Sequence, residues 1–147
     1  MTSLYKELIE ILKEEKALLE TLFRIVSEER DAIVGLNSVE LEKVLTEKQQ
    51  ILTKLSLWEE ERIKLLKKNG MENMSLSEII NNTKNESPEI RHLNELYHTM
   101  KTILDAISEI QRINEQLIDR SIVHIATAIK FLETFGIKAK ENLSMEA

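Results

Sequence analysis

An all-α fold built from long helices is predicted by three features of the chain. Glycine and proline, the residues that interrupt helices, number only three and one in 147 residues. All four (Gly35, Gly70, Pro88 and Gly136) stand at the edges of long amphipathic stretches, so they punctuate helices rather than fragment them. Leu, Ile, Glu and Lys dominate, with 4% aromatic and 31% charged residues, which suits long helices in mutual contact and gives little bulk for a conventional globular core. The expected architecture is an antiparallel long-helix hairpin, a short connector helix and a long C-terminal helix. Together these make a coiled-coil-like bundle of three or four helices, one domain over residues 1–136.

The first helix, expected over residues 4–34, starts with Ser3 as N-cap. Its apolar seam is Leu8, Ile11, Leu18, Leu22, Ile25 and Ala32, spaced to lie on one face. Glu15 and Glu29 occupy seam positions, and Gly35 follows as the breaker. The second helix, over 38–68, opens on Asn37 with Glu40 three residues on, close to a capping box. Its seam is Leu41, Val44, Ile51, Leu55, Trp58 and Leu65, with Lys48 and Arg62 at two seam positions. Asn69-Gly70 ends it, after Lys67 and Lys68 at the negative end of the helix dipole.

A short loop makes these two helices antiparallel neighbours. Facing residues of an antiparallel pair have a constant index sum, and Glu29 with Lys48 has the same sum as Glu15 with Arg62. The spacing therefore predicts two acid–base pairs that set the hairpin register. The alternative, in which all four charges snorkel to solvent, stays open from sequence. Within residues 71–87, Ser75 and Glu78 form a capping box for a short helix over 76–82, followed by a loop through Asn81, Asn82, Thr83, Lys84 and Asn85.

The last helix, over 88–135, has Ser87 as N-cap and Pro88 at its first position, where proline is tolerated. Its first half has one seam: Leu93, Leu96, Met100, Ile103, Ile107 and Ile110. Asn114 and Ser121 then take seam positions, and apolar residues spread around the helix from Leu117 to Phe135. At 1.5 Å per residue the hairpin helices are each about 45 Å long and the last about 70 Å. About 25 Å of the last helix, at its C-terminal end, must bend, overhang or find another partner. That same end carries more apolar surface than a single seam needs. Two explanations stay open: burial as the innermost helix of the bundle, or an interaction site for another amphipathic helix. Residues 137–147 are expected to be a flexible tail, or else a lid on the apolar helix.

Several chemistries are set aside. A net charge of −6 argues against nucleic acid, and the absence of cysteine excludes thiol chemistry. The longest charge-free run in the helices, residues 121–129, falls far short of a membrane span, so no membrane insertion is expected. The N-terminus lacks the pattern of a secretory signal, so a cytosolic protein is the default. Two Glu-x-x-His spacings, Glu89 with His92 and Glu95 with His98, resemble half of a di-iron bundle site. Both are on one helix and off its seam, and read better as exposed polar residues; no metal or cofactor is expected. His124 in the apolar run offers a pH-dependent contact or simply an interface edge. The basic run Arg62, Lys64, Lys67, Lys68 fits the helix end better than an acidic partner. No phosphate loop or nucleophile–base arrangement occurs, so the chain is not read as an enzyme.

In their order, several segments resemble the FlgN-type flagellar export chaperones over nearly the whole chain. These are Leu18-Leu19-Glu20 through Glu28-Glu29-Arg30-Asp31; Lys48 with Ile51-Leu52; Glu59-Glu60-Glu61-Arg62 with Leu65-Leu66; and Asn114-Glu115-Gln116-Leu117-Ile118 leading into an apolar terminal helix. Glu115 stands where that family usually has glycine. The resemblance implies a cytosolic chaperone for hook-associated proteins. In such chaperones the C-terminal helical region holds an amphipathic terminal segment of the client and brings it to the flagellar type III export apparatus, with no ATP hydrolysis by the chaperone itself. The residues expected to touch the client are Leu117, Ile118, Ile122, Ile125, Ile129 and Leu132. A structural homodimer, in which two terminal helices cover each other, is the alternative. So is a chaperone for a filament cap or another secretion system.

Overall fold

The computed structural model describes residues 2–83 and 87–134. Four helices follow one another: α1 (Thr2–Val34), α2 (Ser38–Lys68), α3 (Leu76–Asn82) and α4 (Pro88–Thr134). No strand occurs among the described residues. The expected stop at Phe135-Gly136, the tail over 137–147, and Lys84 and Asn85 of the loop lie outside the described residues, as do the side chains of Ser121, His124 and Phe131. One boundary is corrected: α1 already includes Thr2, so Ser3 is inside the helix and is not its cap. Leu4 and Leu8 are buried there, and packing of an amphipathic face holds a first turn that a cap residue would otherwise have to start.

Helix α1 is the central element, packed against both α2 and α4. That position requires two apolar faces. The seam read from sequence supplies one, with Leu8, Leu22, Ile25 and Ala32 buried. A second row, Ile9, Leu12, Leu19, Val26 and Ile33, is buried as well. It meets α4 at two levels: Ile9 lies beside Pro88 and His92, and the Val26 carbonyl accepts a hydrogen bond from Asn114 Nδ2 at 3.0 Å. These two contacts also fix the direction of α4, which runs parallel to α1 and antiparallel to α2. Each large aliphatic side chain buried in these rows contributes about 1.5–3 kcal/mol.

Both hairpin helices end in the same hydrogen-bonded motif, in which the two residues after the cap bond back to the last turn. At the end of α2, Gly70 N donates to the Lys67 carbonyl at 3.2 Å and Met71 N to the Leu66 carbonyl at 2.8 Å. Gly70 takes the left-handed conformation this requires, φ +73°. At the end of α1, Leu36 N donates to the Ile33 carbonyl at 3.2 Å and Asn37 N to the Ala32 carbonyl at 3.0 Å. Here the left-handed residue is Leu36, φ +52°. Gly35, expected from sequence as the breaker, is one position too early to take that role.

The opposite end of the bundle, where α1 and α4 begin and α2 ends, is closed by the connector. Ser75 caps α3 by accepting from Glu78 N at 3.1 Å. Helix α3 lies on α4 and inserts Ile79, 1% exposed, into the core, against which Met71, Met74, Leu76 and Ile80 also pack.

Candidate protein-binding site

The polar seam residues read from sequence come together in two layers. In the first, Arg62 Nε donates to Glu15 Oε1 at 2.9 Å. Burial pushes the Glu15 carboxyl above its ordinary value, and this outweighs the pull of Arg62 in the other direction; Glu59 adds to the rise. In the second, Lys48 Nζ lies 3.2 Å from Glu29 Oε2 and donates to Gln111 Oε1 at 2.6 Å. Asn114, fully buried, donates through Nδ2 to Glu29 Oε1 at 2.7 Å, while its Oδ1 has no hydrogen-bond partner among the described residues. Side chains of α1, α2 and α4 thus meet in one layer. Sequence periodicity marked Asn114 as a break in the α4 seam but did not identify its partners, since index sums describe only two helices at a time.

This layer is where α4 stops being covered. Asn114 is level with Val26 and Glu29 of α1. From there α1 has about 8 Å left before it ends at Val34, whereas α4 continues to Thr134, about 30 Å. The helix is continuous through Asn114 and Glu115. Glu115 has a side chain where a glycine would loosen the helix, and the backbone continues without a break. Among the described residues of α4, Asn114 is the last that is buried.

Beyond it the six residues singled out from sequence are distributed as follows. Ile118, Ile122 and Ile125 are 41%, 60% and 61% exposed, and Ile129 is exposed too; Leu117 and Leu132 are half-buried. Ile118, Ile122 and Ile125 do not stand alone. They form one wall of a niche of about 280 Å³ whose other wall is the hairpin tip: Ala32, Ile33, Leu36, Asn37, Ser38 and Leu41. Leu117, Ile129 and Leu132 are not part of that lining. The contribution of the tip was missed from sequence; its only signal is a leucine between a glycine and an asparagine, in a turn that needs no apolar side chain.

The other candidates have local partners. Lys64 pairs with Glu61 at 3.7 Å and Lys67 with Glu72 at 3.9 Å, so most of the basic run is engaged within its own end of the bundle. His98 stacks edge-on against Tyr97, and His92 lies in a shallow cleft with Lys6 and Lys13, a setting that disfavours a cation. No group of three or more metal-ligating side chains is assembled among the described residues. No helix among them is long and apolar enough to cross a membrane.

A family model described as FlgN protein matches residues 1–135. No curated protein and no solved structure matches the chain.

Proposed function

The chain belongs to the FlgN family, a family of flagellar export chaperones, and from that premise we propose that it binds the amphipathic C-terminal helices of hook-associated proteins in the cytoplasm and brings them to the flagellar export apparatus. One observation carries the reading: the apolar stripe of α4 continues alongside the hairpin tip and beyond it as Ile118, Ile122, Ile125 and Ile129, all exposed. A stripe at steps of three and four is what one helix presents to another. Shielding such a client helix keeps it from assembling early. Leu117 and Leu132 flank the stripe and complete the contact. The chaperone contributes binding alone and needs no catalytic group.

Titration calorimetry tests this with the purified full-length protein and a synthetic peptide carrying the C-terminal helix of a hook-associated protein encoded by the same genome. Micromolar or tighter binding is expected, lost in Ile125→Asp while the circular dichroism and melting temperature of the variant stay those of the parent. Failure of the parent to bind sinks the proposal. A persistent dimer at low micromolar concentration that Ile125→Asp dissociates would assign the stripe to a second copy of the chain instead.

A further inference from the structure

Resting on that reading of α4, we infer that Leu36 at the hairpin tip is a client-contacting residue, and that the client helix docks as a continuation of the hairpin, end-on against Leu36 and lengthwise along α4. The two capping motifs of the hairpin supply the first support. Their hydrogen bonds are equivalent, yet the left-handed position is glycine at the closed end, Gly70, and leucine at the open end, Leu36. A left-handed backbone is strained for a side chain such as leucine and free of strain for glycine. Strain of this kind collects at functional positions. The leucine gains nothing from the fold in exchange, since it is 84% exposed, the most exposed large hydrophobic side chain of the described residues.

Position supplies the second support. Leu36 lines the same niche as Ile118, Ile122 and Ile125, so the tip and the overhang present one surface. None of the nine described residues that line it is charged, in a chain where 31% are. The occupant that complements this surface presents an uncharged aliphatic ridge. Spacing makes the occupant more specific. On α1 the buried row Leu12, Leu19, Val26 and Ile33 recurs one residue in seven, and it meets α4 at Val26, through Asn114, and at Ile33, beside Ile118. A helix that takes over the same stripe where α1 ends needs the same recurrence. Residues 118–134 offer it about 25 Å, roughly four to five helical turns. The client is therefore a helical segment of that length with aliphatic residues at heptad spacing and an apolar end that fits the niche.

Calorimetry with the full-length protein and the same hook-associated C-terminal peptide tests this through Leu36→Gly and Leu36→Met. Leu36→Gly relieves the backbone and is expected to raise the melting temperature by roughly 2–4 °C. It is also expected to weaken the peptide about ten- to hundredfold, the loss of one buried aliphatic anchor. Leu36→Met keeps an apolar side chain and is expected to bind within a few-fold of the parent. Gain of stability together with loss of affinity is a combination that a purely structural residue cannot give. Unchanged affinity in Leu36→Gly, with Ile125→Asp still abolishing binding, overturns the role of Leu36 and leaves the α4 site standing. No binding by the parent chain overturns both. A dimer of the parent that Leu36→Gly dissociates overturns the client as the occupant in favour of a second copy.

Discussion

The two ends of this bundle are built from similar materials and finished differently. At the end where α4 begins, the chain spends a whole connector on closure: a capped helix, Ile79 driven into the core, Met71, Met74, Leu76 and Ile80 packed against that core, and a glycine at the left-handed cap. At the other end no equivalent piece is supplied by the described residues. Helix α4 outruns the hairpin with its apolar stripe uncovered, and a leucine occupies the left-handed position. Among the described residues one end is closed and the other carries exposed apolar side chains, and the polar layer at Asn114 is the border between them.

The largest effect is expected at that border. Asn114→Asp places a carboxylate where the amide nitrogen now lies 2.7 Å from Glu29 Oε1, and is expected to cost about 3–5 kcal/mol at neutral pH, as an uncompensated buried charge does. Denaturant melts at neutral and acidic pH would check this, since protonating the new carboxyl restores a donor; a cost under 1 kcal/mol would mean that the layer is not held tightly. Next in size is a matched pair of truncations. Ile79→Ala at the closed end is expected to cost about 2–5 kcal/mol, and Ile125→Ala at the open end less than about 0.5 kcal/mol. Equal losses would break the comparison outright.

Smaller effects concern the hairpin. A double-mutant cycle on Glu15 and Arg62 is expected to show about 1 kcal/mol of coupling, and a value near zero would remove that pair as a register device. Glu15 also predicts a pH dependence. Its carboxyl is raised by burial, so the folded chain binds that proton more tightly than the unfolded one. The resulting stabilisation is present below the ordinary carboxyl range and is lost as pH rises through the raised value. Glu15→Gln should remove this slope, which urea titrations across the mildly acidic range would reveal.

Much of this was legible in the residue spacing. The four helices, the charged positions Glu15, Glu29, Lys48 and Arg62, and the excess length of the last helix all follow from periodicity, which depends on local geometry. What was hidden depends on having more than one neighbour. Leu12, Leu19, Val26 and Ile33 recur every seven residues as plainly as the first seam, but one seam per helix is enough for a hairpin, and only the arrival of α4 gives the second row a purpose. Asn114 was visible as a polar interruption, while its bonds to Val26 and Glu29 join residues far apart in the chain. Leu36 was obscured by Gly35, because glycine next to a helix end suggests the left-handed position and the actual one is the residue after it. The open end follows from the length of the last helix and from the apolar residues spread around it after Leu117; its second wall at the tip requires the turn to be seen in three dimensions.

The parallel course of α1 and α4 has a consequence for how the molecule comes into being. Ribosomal synthesis delivers α1 and α2 first, and their hairpin joins neighbours close in sequence, which is fast. The face of α1 that receives α4 has to wait: Val26 and Asn114 are separated by 88 residues, and until the last helix emerges, Leu12, Leu19 and Val26 face water on a folded hairpin. Exposed rows of this kind drive aggregation. For part of its own birth this protein carries an unsheltered amphipathic face, and it resolves that state by laying a late helix along an early one.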